Sequence, residues 1–183
     1  KPLSFALSKQ LMPVYDKPMI YYPLTVLMLA GIKQILIITN REHNENFKRL
    51  LGDGKKLGIS ISYKIQECPR GIADAFIVGE EYIGEDPICL ILGDNIFHGG
   101  SLRSLLIKAK NRTKGATIFT YQVNNPQDYG IVKFDKKGNP LSLEEKPLKS
   151  KHNNAVTGLY FFDNTAIAKA KKLKPSIRNE IEI

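Results

Sequence analysis

Through the first two thirds of the chain, short β-branched apolar runs alternate with segments of helical periodicity. That rhythm restricts the fold more than any other feature. Residues 34–39, 59–66 and 88–92 are predicted strands, and residues 19–30, 42–51, 71–80 and 102–111 predicted helices. Strands that are apolar at nearly every position need cover on both faces, so this alternation predicts a parallel sheet between two helical layers. After Gly115 the rhythm changes. Residues 116–123, 131–135, 141–145 and 155–162 read as successive strands, with a turn at Lys137-Gly138-Asn139 where glycine takes a positive φ cheaply. A last helix over 165–173 stops before Pro175. The expected architecture is α/β with a mixed sheet flanked by helices. No repeat, low-complexity tract or Pro/Ser-rich linker interrupts the 183 residues, so one domain is expected.

Hydrophobic residues make up 43% and charged residues 25%, globular values that exclude a disordered or fibrous chain. No apolar run approaches the ~18–20 residues of a membrane span and no signal-peptide pattern opens the chain, so no membrane partner and a cytoplasmic location are expected. Cys68 and Cys89 make neither a disulfide framework nor a metal cluster and read as buried, inert thiols in a reducing compartment. The three histidines lack zinc spacing, and His98 reads as a polar loop residue. The net charge of +9 is uneven: 11 Lys/Arg face 10 Asp/Glu over residues 1–91, but 16 face 8 over residues 92–183. Such an excess suits anionic partners, among them phosphorylated metabolites. Nucleic acid is not expected, because no aromatic-rich basic strand or recognition helix accompanies the charge. Lys169, Lys171, Lys172 and Lys174 read as a solvated helix face.

Ligands of open α/β sheets bind beyond the carboxyl ends of the strands, so the strand ends carry the candidates. Residues 88–92 run into Gly93-Asp94-Asn95: a glycine that admits a ligand near the backbone, a carboxylate suited to Mg²⁺, and an amide that both donates and accepts. A turn or cap aspartate is the competing account of Asp94. Lys9, in the loop Ser8-Lys9-Gln10-Leu11-Met12-Pro13, can neutralise phosphate as a mobile charge, although most lysines are merely solvated. Tyr21, Tyr22, Leu24, Leu27 and Met28 follow helical spacing and read as core. Gln66 ends a strand before the turn Pro69-Arg70-Gly71, and its amide matches thymine or uracil in one orientation and cytosine in the other. Gly71 is expected to open the next helix with its N–H available to a ligand, or to serve as an ordinary N-cap. In Glu144-Glu145-Lys146-Pro147, Lys146 is expected to be extended before proline. Strand alternation puts Glu145 and Lys146 on opposite faces, so both reach one site only if the strand bends there; otherwise the run is surface charge.

Six ordered blocks carry a resemblance. They are Ser8 through Tyr22, Pro69 through Phe76, Leu92-Gly93-Asp94-Asn95, Tyr129-Gly130, Glu144-Glu145-Lys146-Pro147, and Ala155-Val156-Thr157-Gly158-Leu159-Tyr160. In this order the chain resembles glucose-1-phosphate thymidylyltransferases nearly end to end. The resemblance implies a Rossmann-like nucleotide-diphospho-sugar transferase fold, and the Mg²⁺-dependent condensation of dTTP with α-D-glucose 1-phosphate to dTDP-glucose and pyrophosphate. It implies that Lys9, with Gln10 beside it, contacts the nucleotide phosphates, and that Gln66 and the Gly71 backbone read the base. It further implies that Asp94 binds Mg²⁺, that Asn95, Tyr129, Gly130, Glu145 and Val156 line the glucose, and that Lys146 holds the sugar phosphate. A homo-oligomer, commonly a tetramer, is implied as well. The family's glycine-rich phosphate loop would lie upstream of Lys1 and its second metal aspartate beyond Ile183, so the 183 residues alone are expected to be inactive. Arg70 and Asp74 stand where many relatives have acidic and amide residues, which leaves UTP or CTP as competing nucleotides. A non-catalytic sugar-nucleotide sensor is the alternative from another class.

Overall fold

In the computed structural model, residues 7–68, 70–175 and 181 are described. The elements are β1 (Pro13–Val14), β2 (Lys17–Pro18), α1 (Tyr21–Leu29), β3 (Gln34–Thr39), α2 (Asn44–Leu51), β4 (Ser60–Ile65) and α3 (Asp74–Ile83). They continue as β5 (Ile88–Ile91), α4 (Leu102–Lys110), β6 (Ala116–Gln122), β7 (Gly130–Phe134), β8 (Pro140–Glu145), β9 (Asn154–Phe162) and α5 (Ala166–Ala170). All the expected strands and helices form. The β1–β2 hairpin was not legible, because two-residue strands show no periodicity. Pro69 and the terminal stretches 1–6, 176–180 and 182–183 lie outside the described residues, and with them part of the expected base-side turn.

β3 and β4 pair in parallel, from Gln34 opposite Ser60 to Thr39 opposite Ile65. The second sheet runs β5-β9-β7-β8 with β6 also against β9, and every pair in it is antiparallel. The expected parallel arrangement therefore holds for β3 and β4, whereas β5 lies antiparallel to β9. An apolar run states that a strand is covered, not the direction of its neighbour. Among the described residues no ladder joins the two sheets. Between them lies a cleft of about 550 Å³ lined by residues that include Leu36, Ile38, Phe76, Ile88, Leu90 and Phe162.

α1 is apolar on all sides, as expected of a helix inside a core. Leu24 and Leu27 join Ile35, Ile37, Phe47, Leu51 and Ile61 in one cluster, while Val26 and Ala30 join Leu106, Leu159 and Phe161 in another. Of the residues expected in this core, Met28 is instead 40% exposed. Pro23 is tolerated because the first turn of a helix has no intrahelical acceptor for its N–H groups. α3 lies close on β3: a Cβ on Gly79 would stand 3.2 Å from Leu36 Cδ2. Phe76 meets Phe162 edge-to-face at 5.4 Å. The turn at Gly138 forms at φ +82, with the Asp135 carboxylate accepting from the Lys137 and Asn139 N–H groups. Lys169, Lys171, Lys172 and Lys174 are exposed as expected, but α5 ends at Ala170, so only Lys169 lies on the helix.

Candidate active site

β5 delivers Gly93-Asp94-Asn95 beyond its carboxyl end. Gly93 is closely packed there, since a Cβ would stand 3.0 Å from Gln10 Cγ and 3.4 Å from Ile20 Cδ1. The 8–12 loop thus lies directly against the strand end; the Gln10 carbonyl, accepting from the Ile20 N–H at 2.9 Å, fixes the loop to the start of α1, and Ser8 Oγ donates to Gln10 Oε1 within the loop at 2.6 Å. This brings Lys9 Nζ to 3.0 Å from Asp94 Oδ2. The side chains are 58% and 32% exposed, so the pair adds little to stability. Its significance is placement: a cation and a carboxylate 85 residues apart in sequence meet in the open at one strand end.

Asn95 connects this corner to β9. Its Nδ2 donates to Asp94 Oδ1 at 3.1 Å, and its Oδ1 accepts from the Gly158 N–H at 3.0 Å. A Cβ on Gly158 would stand 2.7 Å from the Leu92 side chain and 2.9 Å from Asn95 Cγ. The ladder between β6 and β9 shifts register here, with Ile118 opposite Tyr160 but Thr120 opposite Val156. The bulge places Gly158 where Asn95 can reach its backbone.

Two residues along β9, Val156 borders the other corner. Gly130 sits opposite Glu145 in the β7–β8 pair, and a Cβ on Gly130 would lie 3.1 Å from Glu145 Oε2 and 4.0 Å from Val156 Cγ2. Two residues of extended chain span at most about 7 Å, so the Gly-Asp-Asn corner and the Glu145 end of β8 share one stretch of β9. Burial, and secondarily the Glu145 carboxylate, raises the pKa of the Tyr160 phenol on the same strand. Tyr129 is 41% exposed, and its carbonyl accepts from the Lys146 N–H at 3.1 Å. Lys146 itself is not extended as the proline rule predicts. It takes φ +43, a conformation uncommon for a non-glycine residue. The chain turns at this residue, just past the end of β8, and a change of direction there is the condition under which Glu145 and Lys146 can serve one site. Glu144, by contrast, pairs with Lys133.

At the carboxyl end of β4, the Gln66 N–H donates to the Thr39 carbonyl at 2.8 Å. Its Nε2 donates to Asp74 Oδ2 at 2.7 Å. Asp74 is only 1% exposed, and Arg70 Nε lies 3.6 Å from its other oxygen. Gly71 does not open the helix. It takes φ +99, which no helix accommodates, and α3 begins at Asp74. Ile181 lies across Gly71: its N–H donates to the Arg70 carbonyl at 2.6 Å, and its carbonyl accepts from the Ala73 N–H at 3.1 Å. A Cβ on Gly71 would meet the Ile181 carbonyl oxygen at 2.5 Å. The sequence marks Asp74 only as a departure from relatives that bears on nucleotide choice, and it does not mark Ile181. An aspartate at a helix start looks like an ordinary cap, and nothing local links Ile181 to Gly71.

His98 is an exposed loop residue, as expected. Burial pushes the Cys89 thiol up to about 12, consistent with inertness. Cys68 is exposed rather than buried, because it lies in the loop past β4 and outside the core clusters. Among the described residues no three His, Cys, Asp or Glu side chains gather as a metal group. Among the described residues Asp94 could give a cation one carboxylate, and Mg²⁺ takes one or two protein carboxylates together with substrate phosphates and water.

The family model described as nucleotidyl transferase matches residues 1–183. A glucose-1-phosphate thymidylyltransferase of Neisseria meningitidis serogroup A is 59% identical over 182 residues, covering all of this chain and 63% of that protein. One from Mycobacterium tuberculosis is 53% identical over 182 residues, again covering 63% of its length. The chain therefore spans a little under two thirds of these curated relatives. Among solved structures, a Bacillus anthracis protein crystallised with sucrose superimposes with TM-score 0.89 at 35% identity, over 97% of this chain and 72% of that one. A UDP-glucose pyrophosphorylase complexed with UDP-glucose superimposes with TM-score 0.81 at 23% identity, over 99% of this chain and 77% of that one, and so shares the fold.

Proposed function

Because the chain belongs to the nucleotidyl transferase family, we propose that its protein condenses dTTP with α-D-glucose 1-phosphate to dTDP-glucose and pyrophosphate. The activity named for the Neisseria and Mycobacterium relatives supports this reading. The observation that carries it is the 3.0 Å approach of Lys9 to Asp94 beyond β5. In the reaction, an oxygen of the sugar phosphate bonds to the α-phosphorus of dTTP while that phosphorus releases pyrophosphate. The nucleophile is already an anion at neutral pH, so the site needs placement and positive charge rather than a protein base.

In this reading Lys9, with Gln10 beside it, neutralises the triphosphate and Lys146 holds the sugar phosphate. Asp94 holds Mg²⁺, which supplies further neutralisation of phosphate charge. Glu145 accepts from sugar hydroxyls, and Asn95, Tyr129, Gly130 and Val156 shape the glucose pocket. Gln66 and the Gly71 backbone face the base. Residues 1–183 belong to a single nucleotidyltransferase domain of a cytoplasmic homo-oligomer, tetrameric by family resemblance. No helix among the described residues is long and apolar enough to cross a membrane.

Pyrophosphate release by the full-length protein with dTTP, UTP and CTP tests the reading. The expected result is turnover with dTTP and glucose 1-phosphate; a strong preference for UTP or CTP, or no turnover, removes it. Lys146→Ala and Asp94→Ala are each expected to lower kcat about 100- to 1000-fold with unchanged thermal melting. Near-normal rates in either variant refute the role given to that residue.

A further inference from the structure

A glutamine amide presents a donor and an acceptor in either order, so Gln66 by itself leaves the base undecided. The order is decided by Asp74. Beside the Arg70 guanidinium its carboxylate serves as an acceptor, and it is nearly sealed from solvent at 1% exposure. Gln66 Nε2 meets it at 2.7 Å, while Arg70 Nε stands 3.6 Å from the second carboxylate oxygen. Turning the amide over would put Oε1 against Asp74 Oδ2, two acceptors at hydrogen-bond distance with no water to relieve them. One amide hydrogen is thus committed, and Oε1 and the second N–H remain for a ligand in a fixed order.

We propose that Asp74, backed by Arg70, is a positioning residue that locks the Gln66 amide and selects a pyrimidine carrying an imide N–H, thymine or uracil, against cytosine. The inference rests on the reading that Gln66 faces the base. Thymine and uracil offer N3–H to Oε1 and O4 to the remaining amide hydrogen. Cytosine in the same pose sets the N3 lone pair against Oε1 and its amino group against the amide N–H, and that pose is read only if the amide turns over against Asp74. The selection lies in the Arg70, Asp74 and Gln66 side chains, which adjoin no reacting phosphate.

Calorimetric binding of dTTP and dCTP to the full-length protein, wild type and Asp74→Asn, tests this. Asparagine keeps the shape but presents either an oxygen or an N–H, so the Gln66 amide becomes free to turn. Wild type is expected to bind dTTP at least about 10-fold more tightly than dCTP, and the variant to lose most of that ratio. In turnover the loss with dTTP falls on KM rather than kcat. A purely structural role would weaken both nucleotides together and leave the ratio unchanged; that result, or a wild type that does not discriminate, overturns the inference alone. A wild type that binds neither nucleotide overturns the functional reading and this inference with it. If Asp74→Asn does not fold, the Gln66 side-chain amide of the wild type decides, its resonances identified by their loss in Gln66→Ala. One slowly exchanging proton shifted by the Asp74 carboxylate is expected beside a second that exchanges freely, and a pair of unshifted, freely exchanging protons overturns the lock.

Discussion

At position 158 the chain has room for a hydrogen and nothing larger, since a Cβ would meet Leu92 at 2.7 Å and Asn95 at 2.9 Å. Gly158→Ala must displace the amide that ties the Asp94 corner to β9. The variant is expected to lose about 1–3 kcal/mol of stability, read by urea denaturation, and to bind sugar phosphate more weakly. A variant as stable as wild type shows that the corner yields without cost. The glycine was visible in the sequence, but its Asn95 neighbour 63 residues away was not. Lys146 illustrates the opposite limit. The residue before proline is ordinarily extended, yet φ is +43, with the Lys146 N–H bonded to the Tyr129 carbonyl. A tertiary contact here overrides a dependable local rule.

Among elements, the junction of β9 and α5 depends on one acid. Asp163 Oδ2 accepts from the Gly115 N–H at 2.6 Å, and Oδ1 accepts from the Thr165 N–H at 3.0 Å. The Thr165 hydroxyl, with these two N–H groups, lowers the carboxyl to about 2. A carboxyl whose folded value lies below its ordinary ~3.9 stabilises the fold when ionised. Its contribution is complete above about pH 4 and disappears as pH falls through about 2. Melting temperatures of wild type and Asp163→Asn are therefore expected to differ at pH 6 and converge near pH 2; a constant difference contradicts this. Element type was well signalled by periodicity, and β3 has the predicted bounds. Starts and directions were not. α3 begins at Asp74 rather than Gly71 because Ile181 holds the turn open, and β5 is antiparallel to β9 because apolar composition carries no direction.

For the whole molecule, α1 joins two of the core clusters, with Leu24 and Leu27 in one and Val26 in the other, and α4 packs into the second. Leu106 on α4 is fully buried and shares a cluster with Val26 of α1 and Leu159 and Phe161 of β9. Leu106→Ala is expected to cost about 2–5 kcal/mol by transfer loss and cavity formation. Chemical denaturation of the full-length protein checks this, and a loss below about 1 kcal/mol means that the site collapses around the smaller side chain.

The chain's own order of apolar, polar and glycine residues determined its class of architecture, the alternation of elements and the strand ends where chemistry can sit. These depend on local periodicity and on residue types whose properties travel with them. Only the tertiary structure decided which of those ends meet, that Lys9 stands on Asp94, that Asn95 spends its amide on Gly158, and which way the Gln66 amide faces. The Lys9 and Asn95 contacts join residues 85 and 63 positions apart, and even Gln66 and Asp74, eight apart, meet only because the turn between strand and helix folds one onto the other; no local pattern encodes such approaches.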